Sequence, residues 1–304
     1  MCEATDMQMN AHPTLPEFDY VRPETLAEAS KFLALHPDEA RPFLGGTDIF
    51  VRMRNGSLAL KFLVDLKKLD GTNDLRFDPH VGLTLGAAVN MNRVINSPDV
   101  SRHYPLLAEA CRSVASYQLR TRATIVGNIC NASPAGDTIG ACMVFDGMLH
   151  VHGTGGQRQE PLASFFLGPG KTTLKPGDIV TAVTFPLPSG DCAGTYLKLG
   201  RNKLSDLSIV GVTVLASPYS SLPSGFRFRI VLASVAPVPL VAADAEAALA
   251  ERAITSESLH QAASLAGDAS APIDDVRSTA RYRKLMVRNL TEIALNIVWK
   301  KMQK

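Results

Sequence analysis

Two adjacent glycines, Gly45 and Gly46, set the strongest limit on the local fold of this chain. They lie within the segment FLGGTDIF (residues 43–50), whose apolar flanks predict a buried strand, a tight turn and a new element. Because glycine has no Cβ, such a turn can adopt positive φ angles and let several backbone N–H groups converge on an anion. The spacing is not that of the G-x-G-x-x-G dinucleotide motif. The segment therefore predicts either a phosphate-binding turn or a purely structural link between a strand and a short helix.

A second segment rich in small polar residues, ATIVGNICNASPAGD (residues 123–137), follows further along the chain. It shows little apolar periodicity, so we expect an irregular loop. Small polar residues at this density supply backbone and side-chain donors to a large polar ligand. Together the two segments suit a molecule with a pyrophosphate at its centre, whereas composition alone also fits a long surface turn.

The composition is that of an ordinary globular protein. The chain has 304 residues, 46% hydrophobic and 20% charged, which allows one or two cores and favours two domains. The formal net charge of +2 argues against a nucleic-acid or polyanion binder. No apolar run approaches the roughly 18 residues needed to span a bilayer. Residues 1–14 lack the features of a secretory signal, and we expect them to form a loose tail.

The cysteine pattern argues against disulfides and metal centres. The chain has five cysteines, with no C-x-x-C pair and no matched histidine spacing. Such a pattern indicates neither a disulfide framework nor a zinc or iron–sulfur site. We therefore expect a cytoplasmic protein without a metal in this chain.

Strand and helix signals predict an α+β protein in several parts. Thr25 is expected to cap a helix over residues 26–35, within a small βαβ-like block that is complete by about residue 66. A second block follows a linker at 70–79 and ends at the turn-rich sequence PLPSG, residues 186–190. Beyond it, predicted strands at 195–199, 209–216 and 226–234 precede predicted helices at 240–252, 256–266 and about 278–302. This order is that of a domain with helices on one face of a sheet. The predicted divisions are a tail (1–14), a ligand-binding domain (15–188, with lobes of about 15–68 and 69–188) and a C-terminal domain (189–304).

Four ordered motifs carry a family resemblance. They are LGGTDIFVRMRNG (44–56), TIVGNICNASPAGDTIGACMVFDG (124–147), FFLGPGKTTLKPGDIV (165–180) and YLKLGRNKLSDLSIVG (196–211). In order and spacing the chain, from about residue 16 to its end, resembles the FAD-binding medium subunit of the molybdenum hydroxylases, which include xanthine dehydrogenase and aerobic carbon monoxide dehydrogenase. The resemblance implies a two-lobed PCMH-type FAD-binding domain, followed by a C-terminal α+β domain with a three-stranded antiparallel sheet and a helical bundle.

The resemblance also implies which residues bind FAD. The residues expected around the pyrophosphate are Leu44, Gly45, Gly46, Thr47, Asp48, Ile49 and Phe50. Those expected at the phosphates, ribose or adenine side are Thr124, Gly127, Asn128 and Asp137, with Val180 beside the cofactor. Lys198 would reach the flavin from the C-terminal domain, and Asp206-Leu207-Ser208 would lie close to its ring. A cation beside the flavin raises its reduction potential. No catalytic residue and no metal ligand are expected.

One departure from the family pattern affects the second segment. The family usually has two glycines before the asparagine of this segment, and here the first is Val126. Because a Cβ restricts positive φ angles, we expect a slightly altered approach of this segment to the phosphates.

The function implied by the resemblance is an electron relay. A molybdopterin-binding large subunit oxidises the substrate, [2Fe-2S] clusters in a small subunit carry single electrons, and FAD in this chain collects two and passes them on. The expected assembly is a dimer of heterotrimers without nucleic acid or a membrane span, and the external acceptor stays open.

Two other functions fit parts of the pattern. A free-standing flavoprotein oxidase would need its own catalytic base and an aromatic-lined pocket, whereas this chain has 6% aromatic residues and a single tryptophan. A non-catalytic nucleotide-binding or assembly module would bind FAD without reducing it at a useful potential.

Overall fold

The computed structural model describes residues 14–188, 190–202 and 205–304. The predicted tail therefore lies outside the described residues except for Thr14. Ser189, at the predicted domain boundary, and Lys203 and Leu204, within the fourth motif, also lie outside them.

The first lobe is a parallel three-stranded sheet with two helices. Its strands are β1 (Asp19–Val21), β2 (Ala40–Phe43) and β3 (Phe62–Asp65), in the order β1-β3-β2, and its helices are α1 (Leu26–Leu35) and α2 (Ile49–Arg54). The predicted cap on α1 is confirmed, since Thr25 Oγ1 accepts a hydrogen bond from the backbone N–H of Glu28 at 3.1 Å. The glycine turn leaves β2 at its carboxyl end and leads directly into α2.

The second lobe is built on a five-stranded antiparallel sheet in the order β4-β5-β10-β6-β7. Its strands are β4 (Leu75–Asp78), β5 (Gly82–Gly86), β6 (Met148–Gly153), β7 (Gly156–Pro161) and β10 (Ile179–Phe185), with a small pair β8 (Phe166–Gly168) and β9 (Lys171–Thr172). Its helices are α3 (Met91–Asn96), α4 (Pro98–His103), α5 (Pro105–Arg112), α6 (Tyr117–Arg120), α7 (Ile125–Asn131) and α8 (Ile139–Val144), and a 3-10 turn spans Leu162–Ser164. The two glycine-bearing segments thus belong to different lobes.

The C-terminal part is an antiparallel sheet followed by helices, as predicted. Its elements are β11 (Ala193–Leu199), β12 (Val210–Pro218), β13 (Phe226–Ala233), β14 (Leu240–Val241), α9 (Ala243–Ala250), α10 (Ser256–Ala269) and α11 (Ala280–Met302). The three expected strands are present, and the two-residue β14 adds a fourth at the edge. The expectation that the helix before α10 begins at Leu240 is wrong, because Leu240 and Val241 pair with β13 and the helix begins at Ala243.

The C-terminal sheet is covered on both faces. Val210, Val212 and Val214 pack with the helices in one buried cluster. Tyr196 and Leu215, on the other face, belong to the main core of the second lobe. Apolar packing therefore continues from the second lobe into the C-terminal sheet, and the division into separate domains stays a prediction. In the described part of the chain, no helix is both long and apolar enough to span a membrane.

Candidate functional site

A large cleft lies between the two lobes, and the connection between β11 and β12 also lines it. Its volume is about 630 Å³, within the range of small-molecule and cofactor sites. Four stretches contribute most of its wall, namely residues 44–49, residues within 123–137, residues 174–180 and residues 205–207. The two segments singled out in the sequence therefore face one space, as a shared ligand requires.

The first glycine turn is packed so tightly that neither glycine leaves room for a side chain. A Cβ at Gly45 would lie 2.2 Å from the carbonyl oxygen of Arg122, which immediately precedes the second segment. Gly46 has a φ of +74°, and a Cβ there would lie 2.6 Å from the ring of Phe43. Direct backbone contact between Gly45 and Arg122 thus fixes the spacing of the two segments, and glycine is required on one side of it.

The same turn carries main-chain donors. Within the described residues, the backbone N–H groups of residues 45–49 have no hydrogen-bond acceptor. Regular bonding resumes where Phe50 N donates to Gly46 O at 3.2 Å. Successive N–H groups in a turn form an anion-binding concavity. Residues 45–49 all line the cleft, so this concavity belongs to its wall.

Basic side chains add positive charge to the cleft. Arg41 lines it but donates to the carbonyl oxygens of Pro37 and Ala40, at 2.6 and 2.7 Å. Arg52, one turn into α2, and Lys175 line the cleft and are exposed. An anionic ligand would therefore meet both main-chain donors and exposed cations.

Residues 125–131 of the second segment form a helix, so the prediction of an irregular loop is wrong for them. Thr124 caps this helix, α7, by accepting a hydrogen bond from Gly127 N at 2.9 Å. Ile125, Val126 and Ile129 give it a buried face. The polar residues between these positions obscured that short apolar period. An N-cap followed by one buried face is enough to form the helix when a core is available to pack against.

Val126 does not change the approach of the second segment in the way we expected. It lies in the first turn of α7, is 1% exposed and packs in the main core. Helical backbone needs no positive φ angle, so the position does not require the freedom of glycine. Gly127 does have a steric role, since a Cβ there would lie 2.8 Å from the capping oxygen of Thr124.

Several polar groups of the second segment are already engaged within the protein. The hydroxyl of Thr138 donates to Asn128 Oδ1 at 2.7 Å, which leaves the amide group of Asn128 as its donor toward a ligand. Gly136 passes close to Ile139, where a Cβ would lie 2.6 Å from Ile139 Cδ1. The second segment thus forms part of the cleft wall and leaves few side-chain donors free for a ligand, because Thr124 and Asn128 already bond within the protein.

Asp137 is held in a buried polar cluster at the edge of the cleft. Tyr196 donates its hydroxyl to Asp137 Oδ1, and Lys198 Nζ lies by Oδ2, each at 2.7 Å. Lys198 also donates to Ser113 O at 3.2 Å. Burial raises the pKa of Asp137 above its ordinary value, although Lys198 and Tyr196 both act to lower it. Burial and the neighbouring Asp137 carboxyl raise the pKa of Tyr196 well above its ordinary value. Tyr196 and Lys198 therefore hold Asp137 from strand β11.

Comparisons with known proteins identify the family. The family described as the FAD binding domain in molybdopterin dehydrogenase matches residues 16–188. The chain belongs to this family. A second family, the CO dehydrogenase flavoprotein C-terminal domain, matches residues 195–298.

Individual relatives span nearly the whole chain. The carbon monoxide dehydrogenase medium chain of Hydrogenophaga pseudoflava is 28% identical over 284 residues, covering 93% of this chain and 98% of the relative. The xanthine dehydrogenase FAD-binding subunit of Escherichia coli O157:H7 is 26% identical over 276 residues, covering 90% and 93%. A solved structure of carbon monoxide dehydrogenase from Hydrogenophaga pseudoflava, which lacks the Mo-pyranopterin moiety, superposes with a TM-score of 0.89 at 30% identity. That match covers 94% of this chain and 99% of the other.

The predicted FAD residues of this flavoprotein family member mostly lie together. Those that line the cleft are Leu44, Gly45, Gly46, Thr47, Asp48, Ile49, Thr124, Gly127, Asn128, Asp137 and Val180. Phe50 and Lys198 are not among the lining residues. Phe50 instead packs against Phe18 and Phe43, at ring-centre distances of 6.2 and 5.3 Å. Lys198 instead contacts Asp137, which does line the cleft.

Other lining residues were not predicted as site residues. Pro176 and Gly177 lie in a turn that lines the cleft, and Gly177 has a φ of +88°. The sequence KPGD at residues 175–178 marks a turn but gives no sign that it reaches a ligand. Tyr196 is the first residue of the fourth motif, but its contact with Asp137 was not predicted. The two residues lie 59 positions apart in the chain, and no local pattern connects them.

The cleft fits FAD by the chemistry of its donors. FAD is long and carries a diphosphate, which the main-chain donors of residues 45–49 and the cation of Arg52 would complement. The apolar side chains of Leu44, Ile49 and Val180 also line the cleft and suit the planar rings. Among the described residues, no group of three or more His, Cys, Asp or Glu side chains is placed to hold a metal ion.

Proposed function

We infer that this chain is the FAD-binding electron-transfer subunit of a molybdenum-containing hydroxylase or dehydrogenase. In this role it takes electrons from [2Fe-2S] clusters of a partner and passes them through FAD to an external acceptor. The observation that carries this inference is the meeting of two glycine-bearing segments at one cleft. Gly45 lies against Arg122, and the N–H groups of residues 45–49 have no acceptor among the described residues. FAD, when bound, supplies the ability to accept single electrons and deliver a pair.

Each part of the cleft has a proposed role in binding. Residues 44–49 would hold the diphosphate through main-chain N–H groups. Thr124 and Gly127 would shape the opposite wall, and the amide of Asn128 would donate to the ligand. Asp137 would accept from a sugar or ribityl hydroxyl. A hydrogen bond to a charged group contributes about 1.5–3 kcal/mol, so three or four of them suffice for tight binding without a covalent link.

The remaining predicted positions act less directly. Val180 lines the cleft and would pack against the cofactor. Phe50 would support the turn from the aromatic cluster behind it. Lys198 would influence the flavin by holding Asp137 in place. On this view the chain binds, orients and tunes the cofactor, and substrate chemistry takes place in another subunit.

Relatives of this chain are medium subunits of multi-subunit enzymes, which implies large and small partner subunits. We propose that these partners bind molybdopterin and [2Fe-2S] clusters and that the assembly is a dimer of heterotrimers. We also propose a cytoplasmic location. It is supported by Cys111, Cys130, Cys142 and Cys192, which are free thiols and are typical of a reducing compartment.

Purification of the full chain with and without its partners tests this function. We expect the chain alone to carry about one FAD, visible as the absorption of oxidised flavin, and to be reducible by a chemical reductant. It should oxidise no purine, aldehyde or carbon monoxide by itself. Reduction by substrate should appear only when the large and small subunits are added. Substrate oxidation by the isolated chain would instead favour a free-standing oxidase, and bound FAD that resists reduction would favour an assembly module.

A further inference from the structure

Three charged side chains of the C-terminal part form a cluster around Asp275. Arg277 holds Asp275 Oδ2 through Nε and Nη2, at 3.0 and 2.6 Å. Both N–H groups of the planar guanidinium reach this one oxygen, which limits the orientation of the guanidinium group. Arg283, on α11, donates to the other carboxylate oxygen, Oδ1. None of the three residues lines the cleft.

Both arginines also bind main-chain carbonyl groups near the start of β12. Arg277 Nη1 donates to Ser208 O at 3.1 Å. Arg283 Nη1 donates to Ile209 O at 3.3 Å and to Ser234 O at 2.9 Å. Arg283 is only 1% exposed, so its charge must be compensated by these contacts and by Asp275. Its Nε has no hydrogen-bond partner among the described residues. The cluster therefore holds the backbone at residues 208 and 209 by hydrogen bonds.

Ser208 connects this cluster to the wall of the cleft. Its hydroxyl donates to Ala135 O at 3.4 Å and lies 2.6 Å from the hydroxyl of Ser234. The backbone N–H of Ser234 donates to Pro134 O at 2.7 Å. Ala135 lines the cleft from the second lobe, and residues 205–207, which precede Ser208, line it from the C-terminal side. The cluster is thus linked by hydrogen bonds to both walls.

The cluster is better explained by the need to position the neighbouring backbone than by a gain in folding free energy. A buried ion pair seldom stabilises a fold more than well-packed apolar residues of similar size would. Within the described part of the connection between β11 and β12, Asp206 accepts hydrogen bonds from the backbone N–H groups of Arg201 and Asn202, at 2.6 and 3.2 Å. The end of the connection, at residues 208 and 209, is held by the two arginines. Ser205 in this connection has a φ of +59°, which residues other than glycine rarely adopt. Hydrogen bonds to its end at residues 208 and 209 restrict where the lining residues can lie.

We propose that Asp275, Arg277 and Arg283 are positioning residues for the bound cofactor. They act by fixing residues 205–208 against Ala135, and they do not touch the cofactor themselves. Because this inference rests on the proposed function, the wild-type chain must first be shown to bind FAD. A wild-type chain without FAD would overturn the proposed function and the positioning role together.

The test compares Arg277→Met with Arg281→Met in the full-length chain. Arg281 is an exposed arginine in the first turn of α11 and serves as the matched control. FAD release is followed by the fluorescence of the freed cofactor. The environment of the bound flavin is followed by its visible circular dichroism. We expect Arg277→Met to release FAD roughly tenfold faster and to alter the dichroism, with Arg281→Met unchanged.

Arg277→Lys separates positioning from charge. Lysine keeps the positive charge but has no planar fork, so it cannot hold both Asp275 and Ser208 O in the same way. We expect this variant to match the wild-type chain in thermal stability while FAD release stays fast. Wild-type values of both thermal stability and FAD release would show that charge alone matters and would overturn the positioning role.

Two further outcomes are decisive. Wild-type release and dichroism in Arg277→Met, with FAD bound to the wild-type chain, would overturn the positioning role and leave the proposed function intact. If Arg277→Met does not fold, Ser208→Ala carries the test, since it removes only the hydroxyl link to Ala135 and Ser234. We expect faster release from Ser208→Ala than from wild type, by a smaller factor, and unchanged release would overturn the inference.

Discussion

The first glycine turn and the second segment reach the same cleft by different means. Residues 45–49 leave their N–H groups unpaired within the described structure, and both Gly45 and Gly46 stand where a Cβ would collide. In the second segment, Thr124 already caps α7 and Asn128 already accepts from Thr138. The first segment therefore provides donors through bare backbone, whereas the second provides a rigid wall.

This difference separates the effects of mutation in the two segments. Any side chain added to the first turn should disturb its contact with the other lobe as well as its donors. Changes in the second segment should act through the stability and placement of α7. Substitutions of similar size should thus affect FAD binding and folding in different proportions on the two sides of the cleft.

The largest effect on FAD content is expected for Gly45→Ala. The new Cβ would meet the carbonyl of Arg122, a backbone atom that cannot move aside by a side-chain rotation. Overpacking of this kind costs about 1–3 kcal/mol, occasionally more, and it would force the two segments apart. We expect near-complete loss of FAD from the purified chain, measured by its flavin absorbance. Gly155→Ala is the control, because a Cβ there meets nothing within 4 Å. Normal FAD content in Gly45→Ala would show that the segments need not touch.

The ion pair of Asp137 and Lys198 tests how the second segment is held in place. The two side chains are 9% and 14% exposed, and loss of one partner would leave the other charge buried without compensation. We expect Asp137→Asn and Lys198→Met each to cost about 3 kcal/mol of unfolding free energy. Denaturant titrations of the single and double variants would measure their coupling, which we expect to be strongly non-additive. Simple additivity would mean that Lys198 acts independently of Asp137.

A smaller effect is expected for Thr124→Ala, with Thr25→Ala as its matched control. Both threonines cap a helix with one hydrogen bond to a backbone N–H, but only Thr124 lines the cleft. Each substitution should lower the unfolding free energy by about 1 kcal/mol. Only Thr124→Ala should also weaken FAD binding, as measured by calorimetric titration. Equal FAD affinities in the two variants would remove α7 from the binding wall.

The smallest effect concerns the pH dependence of stability. Burial raises the pKa of Asp137 in the folded chain, so the folded state holds a proton where the unfolded state has lost it. Wild-type stability should therefore fall relative to Asp137→Asn as the pH rises above the ordinary aspartate value of 3.8 toward the raised one. Parallel unfolding curves across that window would show that Asp137 has an ordinary pKa.

Much of the fold was predictable because its signals are local. The strand after Pro188, the cap at Thr25 and the long last helix all follow from short patterns of apolar, capping and turn residues. The glycine turn was recognisable for the same reason, since the residues that form it are adjacent. The family resemblance, which rests on local motifs, also predicted many of the residues in both segments that line the cleft.

The parts that the sequence did not predict depend on long-range contacts. Helix α7 was missed because its capping and packing compete with a polar composition that is typical of loops. Phe50 was assigned to the pyrophosphate, yet its ring joins Phe18 and Phe43 in a cluster. The link between Lys198 and Asp137 spans 61 positions, and only the folded chain brings these two residues together.

The most direct test of the shared cleft is the affinity of the chain for FAD compared with FMN, which lacks the diphosphate bridge and the adenylate. Two hydrogen bonds to the bridge would make FAD bind roughly 100-fold more tightly. Gly46→Ala should reduce this ratio toward one, because it adds a Cβ against Phe43 at a φ of +74°. Gly56→Ala should preserve it, because Gly56 has a φ of +75° with open space around it. A ratio that stays unchanged in Gly46→Ala would contradict the proposal that the two segments hold the diphosphate.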